Sequence, residues 1–256
     1  MTECRIDRLS APTVEPAVAS SPSLADHTTL RVGGAARRFE VARTERDLID
    51  VVTDCDERGE PLLVLGGGSN LLIADDGFPG TVVRVALTGL DADVSTCGGA
   101  AVRVAAGENW DDVVAYAVAQ EWSGLETLSG IPGSVGATPI QNVGAYGSDV
   151  SQTITSVRTW DRVDRTQRTF PVSECGFAYR SSRFKREPGR YVVLEVGFQL
   201  PLGSLGAPIA YPELAGRLGT QQGGRVPATL VRDTVLDIRR GKGMVLDAAD
   251  HDTWSA

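Results

Sequence analysis

The chain is poor in metal-ligand and redox chemistry: 256 residues carry two histidines and four cysteines. Cys4, Cys55, Cys97 and Cys175 show no C-x-x-C spacing, and His27 and His251 lie far apart, so a structural zinc centre lacks ligands and a disulfide framework lacks a pattern. A reduced, cytoplasmic protein is the plain reading. No run approaches about 18 uninterrupted apolar residues. Glu3, Arg5, Asp7 and Arg8 stand where a signal peptide would need its apolar segment, so neither membrane insertion nor export is expected. Positive charge is also scarce, with 25 basic against 33 acidic residues and a net of −8. A phosphate-tracking surface would therefore be local, and no nucleic-acid partner is expected. There is no internal repeat. At 42% hydrophobic and 23% charged residues, the composition excludes disorder, collagen and coiled coil as overall descriptions. The length suits one large or two moderate domains.

Residues 1–23 are rich in Ala, Pro and Ser without a hydrophobic period and read as a flexible leader. From Thr44 the pattern is helical: Thr44 caps, Asp47 follows three residues on, and Leu48, Val51, Val52 and Cys55 recur on one face until Gly59. Leu62–Leu65 suits a buried strand, and Thr81–Ala86 another, after a turn holding Gly77, Pro79 and Gly80. Beyond Leu90 the character changes. Val102–Ala105 predicts a strand, and Asn109 caps a helix with Trp110, Val113, Val114, Ala117 and Val118 on one face. Strands return at Thr153–Trp160 and Tyr191–Leu200, with Tyr179–Lys185 read as strand-like between them. Past Gly203 only 53 residues remain. They hold one amphipathic helix (Leu230, Val231, Thr234, Val235, Ile238) and too little chain to close a core easily.

Two glycine clusters could carry chemistry. Gly66-Gly67-Gly68-Ser69-Asn70 follows a buried strand, where consecutive glycines let backbone N–H groups converge on an anion such as a pyrophosphate. A tight surface turn explains the same residues equally well. A Rossmann fingerprint would need glycine at Leu71, and a P-loop would need Gly-Lys-Ser/Thr, whereas Gly241-Lys242 continues to Gly243. From Ser129 to Gly147, glycines and prolines are too frequent for a helix or central strand, and so long a structureless stretch in a compact domain is usually functional. Gln141, Asn142 and Tyr146 add polar ends there. In Tyr179–Lys185, strand geometry would put Arg180, Ser182 and Phe184 on one face, and an arginine beside apolar residues can clamp a carboxylate in a dry site. A solvated edge arginine is the commoner outcome, and spacing does not choose between them.

Taken together and in order, the motifs resemble the UDP-N-acetylenolpyruvoylglucosamine reductase family from about residue 24 onward. They are His27–Gly34, Leu65–Leu72, Ala106–Trp110, Gly124–Glu126, Ser129–Gly136, Pro139–Gly147 and Phe177–Lys185. The resemblance implies an α+β fold: a two-subdomain FAD-binding domain of the vanillyl-alcohol-oxidase (PCMH) type over residues 24–90 and 91–203, then the start of an incomplete α+β substrate domain over 204–256. It implies FAD as cofactor, held by Gly67, Gly68, Ser69, Asn70 and Leu71 on one side and by Ile131, Pro132, Ser134 and Gly136 on the other. It implies NADPH-dependent reduction of UDP-N-acetylglucosamine enolpyruvate to UDP-N-acetylmuramate, in peptidoglycan precursor synthesis, by a monomer. Arg180 matches the family's catalytic arginine, and Tyr146, Tyr179, Tyr211 and Lys242 fall on the substrate side. The family's serine proton donor in a Gly-Ser-Phe-Phe segment, and its later catalytic glutamate, would lie beyond Ala256. A weak reductase, a non-catalytic FAD-binding fragment, or another oxidoreductase on the same flavin fold are therefore the readings to separate.

Overall fold

In a computed structural model the chain is described over residues 22–247, 249, 250 and 253. Most of the predicted leader (1–21), and His251, Trp254 and Ser255, lie outside the described residues. The Ser23 hydroxyl accepts the Ala25 N–H at 3.3 Å and donates to Gly33 O at 3.0 Å, over a buried Leu24.

The first unit comprises β1 (Ala36–Ala42), α1 (Glu45–Arg58), β2 (Leu62–Leu65) and β3 (Phe78–Val85). Helix α1 starts as its sequence predicts. Thr44 Oγ accepts the Asp47 N–H and the Asp47 carboxylate accepts the Thr44 N–H, both at 3.1 Å, while Gly59 ends the helix at φ +62°. Leu48, Val52 and Cys55 go into the core. Strands β1 and β2 both run parallel to the central β3, and α1 supplies the crossover that parallel neighbours require. Strand β3 starts at Phe78, three residues before the predicted Thr81. Proline and glycine do not end it, because the register with β1 shifts between Ala36 and Arg38, opposite Pro79 and Gly80, and that irregularity accommodates a residue with no N–H.

The second unit is built on an antiparallel sheet in the order β4-β5-β10-β8-β9. Its elements are β4 (Leu90–Ser95), β5 (Gly99–Ala105), α2 (Trp110–Ala119), the small pair β6 (Gly144–Ala145) and β7 (Ser148–Asp149), β8 (Ile154–Asp161), β9 (Thr166–Pro171), α3 (Arg183–Arg186) and β10 (Tyr191–Leu200). Strand β5 alternates, with Ala100, Val102 and Val104 inward and Ala101 and Arg103 outward. Central β10 is buried along most of its length. Asn109 caps α2 through the Asp112 N–H at 3.2 Å, and all five predicted apolar positions of that helix are buried.

The strand reading of Tyr179–Lys185 is wrong. Residues 178–181 make a tight turn closed by reciprocal Ala178–Ser181 backbone bonds, and α3 follows, capped by Ser182. Ser182 and Phe184 are buried while Arg180 is exposed, so the three do not share a face. The seven residues are too polar to reveal a period, and the Ser182 cap decides the local structure.

Beyond residue 203, α4 (Pro212–Arg217) and α5 (Ala228–Arg240) pack on each other. They close a small cluster of Ile209, Leu214, Ala215, Val231, Val235 and Ile238, with Tyr146 from the second unit packed against it. This core is larger than the length of the segment suggests, because Tyr146 contributes from outside. Leu230, assigned to the buried face of α5 by its period, is exposed, and Leu236 is buried in its place. Among the described residues Cys55, Cys97 and Cys175 are free, and no helix is long and apolar enough to cross a membrane.

Candidate flavin site

The two glycine runs meet. Leu65 ends β2 inside the core, and the chain turns out of the sheet through Gly66–Gly68. A Cβ on Gly67 would lie 2.7 Å from Gly133 Cα, and one on Gly66 would lie 2.6 Å from Ser134 Oγ. Gly68 has φ +65° and its missing Cβ would fall 1.9 Å from His27 O, so no other residue fits there. Ser69 Oγ donates to Pro132 O at 3.1 Å, and the Asn70 amide reaches Gln141 Oε1 at 3.4 Å. Leu71 packs inward beside Leu65. Among the described residues no backbone acceptor takes the N–H groups of Gly67 or Gly68. Such main-chain donors, free of side chains, suit a phosphate.

The second run is held from behind. Gly136 N donates to Ala106 O at 2.8 Å, Val135 N to Glu108 O at 2.9 Å and Trp110 N to Gly133 O at 3.0 Å. The start of α2 thus fixes Ile131, Pro132, Gly133, Ser134 and Gly136 as one piece. Ile131 packs on the main core, and Ser134 and Gly136 are buried.

A cleft of about 440 Å³ borders the first run, lined by Asp26–Thr29, Arg31, Leu65–Gly67, Arg84, Leu246 and Asp247. His27 stacks on Phe39 there, with ring centres 4.4 Å apart. Its pKa is lowered, first by burial and then by the Arg84 charge, so the imidazole stays neutral near pH 7. Glycine main chain with Arg31 and Arg84, beside Asp26 and Asp247, borders this cleft, and main-chain donors with cations nearby suit an anionic ligand. Arg31, Arg84 and His27 carried no separate signal in the sequence. They come together through the fold, where Thr29 N donates to Gly68 O at 3.2 Å and β2 pairs with β3 so that Leu65 stands opposite Arg84.

The substrate-side candidates form a chain of contacts along the segment that continues from the second run. Arg180 Nη2 donates to Gly144 O at 2.7 Å, although its guanidinium is otherwise exposed and not in the dry setting that a strand would have given. Tyr179 projects into solvent, 91% exposed, with the Arg180 guanidinium 5.9 Å from its ring centre. Asn142 holds this turn, donating to Ala178 O at 3.1 Å and accepting the Ser151 N–H at 3.2 Å. Tyr146 meets Tyr211 edge to face at 5.7 Å. Tyr211 opens α4, and Glu213 on that helix lies 3.8 Å from Lys242 Nζ. Burial pushes the Tyr146 phenol above its ordinary pKa, and burial lowers that of the neighbouring Arg239. Sequence reading missed Arg239, which is buried and donates to Gly130 O at 3.2 Å. An arginine on the inward face of an amphipathic helix was the signal available.

The residues present fit a flavin dinucleotide: unclaimed glycine N–H groups, only small serine side chains where the runs meet, and the Arg31 and Arg84 cations along the adjoining cleft. Residues 36–169 match the FAD binding domain family. A UDP-N-acetylenolpyruvoylglucosamine reductase from Cutibacterium acnes is 63% identical over 233 residues, which is 91% of this chain and 62% of the relative. The chain therefore spans less than two thirds of that protein's length. The crystal structure of a UDP-N-acetylenolpyruvylglucosamine reductase (MurB) from Thermus caldophilus superposes with a TM-score of 0.62 at 27% identity, over 87% of this chain and 68% of that one. Cholesterol oxidase from B. sterolicum matches at TM-score 0.52 and 11% identity over 78% of this chain and 41% of its own, and shows the fold alone. The fold class is thus α+β, of the vanillyl-alcohol-oxidase type. Paired glycine runs on two packed sheets and these matches lead to one conclusion: the chain belongs to the FAD binding domain family and is related within it to the UDP-N-acetylenolpyruvoylglucosamine reductases.

Proposed function

We propose that the chain holds FAD between Gly67–Leu71 and Ile131–Gly136, and forms the flavin-carrying part of an enzyme that reduces UDP-N-acetylglucosamine enolpyruvate to UDP-N-acetylmuramate with NADPH. The contact of Gly67 with Gly133, beside unclaimed glycine N–H groups, is the observation that carries this reading. In this reading residues 24–90 and 91–203 are the two cofactor-binding halves and 204–256 begins the substrate domain. The peptidoglycan pathway, the cytoplasm and a monomeric state belong to the same proposal.

When bound, the flavin supplies the hydride relay between nicotinamide and alkene. The protein's part is positioning and charge. Arg180 is tethered at one N–H by Gly144 O, which leaves its remaining donors for the enolpyruvyl carboxylate. A fixed cation there favours the charge that builds during reduction over the ground state. The Tyr146–Tyr211 pair offers an aromatic corner for the nucleotide sugar, and Lys242, weakly held at 3.8 Å by Glu213, is available to its diphosphate. Tyr179, being exposed, has room to close on the ligand.

The test is direct. Purified chain titrated with FAD is expected to quench flavin fluorescence at 1:1 stoichiometry and to show a structured visible spectrum. With NADPH alone and oxygen excluded, the loaded protein is expected to bleach, and enolpyruvate added afterwards is expected to restore the oxidised flavin's colour. A chain that cannot be loaded with FAD ends the proposal. Loading without any effect of the enolpyruvate leaves a flavin-binding module.

A further inference from the structure

The glycine run at 131–136 is gripped from outside the cofactor halves. Gly130, just before it, is buried with φ +70°, and both of its backbone groups are claimed by charged side chains. Asp111 Oδ1, in the first turn of α2, accepts the Gly130 N–H at 2.6 Å. Arg239, on α5, donates to Gly130 O at 3.2 Å. The Asp111 carboxylate is itself held in a two-pronged pair by Arg232, one helical turn pair earlier on α5, at 2.6 and 2.9 Å. A Cβ on Gly130 would lie 2.9 Å from Leu236 of the same helix, so α5 also presses directly on this residue. Burial alone would push Asp111 up, yet bonds from Arg232 and from the Gly130 N–H hold it below the usual carboxylate value. The charged form is therefore the one built into the site.

We propose that Asp111 and Arg232 are positioning residues for the flavin: α5, a helix more than 90 residues away in sequence, sets the second glycine run through Gly130, and so governs FAD affinity without touching the cofactor. The inference rests on the FAD reading above. Parallel two-pronged bonds fix an orientation as well as a distance, which a single contact to a flexible loop does not. Partial burial of the grip, with the Arg232 and Asp111 side chains 16% and 30% exposed, reduces the competition from water that weakens fully exposed pairs. Losing it frees Gly130 to rotate, and the run it leads no longer faces Gly67–Gly68 in one arrangement. The cost of ordering the run is then met at the moment of binding, which lowers affinity.

Substitutions on the full chain separate this role from mere scaffolding. Arg232→Gln is expected to weaken FAD binding about 10–100-fold, the range seen when supporting-shell partners are lost. Arg232→Lys, which keeps charge but not the fork, is expected to recover only part. Asp111→Asn keeps an acceptor for the Gly130 N–H and is expected to bind FAD more tightly than Asp111→Ala, an order that general destabilisation does not impose. Arg240→Gln, on the exposed face of the same helix, serves as control and is expected to leave affinity unchanged. Affinity is read by flavin fluorescence quenching at a temperature where circular dichroism shows each variant folded. Equal affinity in wild type, Arg232→Gln and Asp111→Ala overturns the proposal, as does an equal loss in Asp111→Asn and Asp111→Ala. If Arg232→Gln does not fold, the Asp111 pair decides. Failure of the wild type to bind FAD overturns the flavin reading instead, and this inference falls with it.

Discussion

Gly67 and Gly68 face different obstacles. At Gly67 the conflict is main chain against main chain: a methyl group would lie 2.7 Å from Gly133 Cα, and the three nearest atoms are all backbone, so no side chain can swing away to make room. Gly67→Ala must therefore force the runs apart. We expect FAD affinity to fall at least about 10-fold, with a stability loss of about 1–3 kcal/mol from overpacking. Gly59→Ala is the matched comparison. It sits at positive φ, +62°, which Gly67 does not, and a Cβ there meets nothing within 4 Å, so only the left-handed conformation is penalised, by about 1–2 kcal/mol, and FAD affinity should not change. Comparable loss of affinity in both, measured by fluorescence titration, would show that the contact between runs is not what matters. Strain also marks the other side of the site. Among the described residues, Asn142, Tyr146 and Arg180 are three of the six non-glycine residues at positive φ; the first two flank Gly144 and the third is bonded to it. Each such conformation costs about 1–3 kcal/mol and persists where surrounding contacts over-determine it; here those are the bonds of Asn142 to Ala178 and of Arg180 to Gly144.

Helix α1 and the β8–β9 hairpin show how elements from different sheets are kept in register. Arg158 forks onto Glu45, Arg162 forks onto Asp56, and Arg165 meets Glu57 at 3.0 Å. Three arginines of one hairpin thus reach three carboxylates of one helix, one at its start and two near its end. Arg162 and Asp56 are the most enclosed of these pairs, with side chains 20% and 22% exposed. Discounted for the solvent that reaches it, a coupling energy of about 1 kcal/mol is expected from an Arg162→Ala/Asp56→Ala cycle in urea, against a few tenths for Arg165/Glu57. A cycle energy near zero for Arg162/Asp56 would make the seam ornamental. The sequence reveals α1 itself clearly: Thr44, Asp47 and Gly59 bound it, and Leu48, Val52 and Cys55 give its buried face. It does not reveal the seam, because the partners are more than 100 residues apart and exposed charges carry no period. Tyr179–Lys185 is misread for a related reason. Its structure is set by Ser182 capping α3 and donating to Ile140 O at 2.5 Å, a contact that exists only after folding. The glycine runs are legible as candidates, since so many unhindered positions need a reason. Their contact is not, because nothing local states that residues 67 and 133 will be neighbours.

Over the whole molecule, charges held away from their ordinary titration give the fold a predictable response to pH. Arg158 draws the Glu45 carboxyl down. Burial raises Asp111 and Asp161, but Arg232 and Arg190, with backbone N–H groups, more than offset it, so both end below the usual range. Depressed carboxyls stabilise the fold fully above the unfolded value of about 4 and cease to do so as pH falls through their lower folded values. His27 acts with the same sign at a higher pH. Burial and Arg84 lower its pKa, so below the unfolded value of about 6.5 the unfolded chain takes up a proton that the folded chain resists. Cys175 acts in the opposite sense: burial pushes its thiol up to about 11, so the stability it adds is present below about 8.5 and lost as pH rises towards 11. The melting temperature of the flavin-free chain is therefore expected to be flat between about pH 6.5 and 8.5, to fall gently below 6.5, and to fall steeply below about 4. His27 is only partly buried, which keeps the first step shallow, and His27→Gln should abolish it while leaving the steep acid limb in place. A steep decline already complete between pH 7 and 5 would show that these carboxyls are not held as the ion pairs indicate. A gentle step that survives in His27→Gln would remove the imidazole from the account and, with it, the view that the Arg84 side of the cleft is cationic before any anion binds.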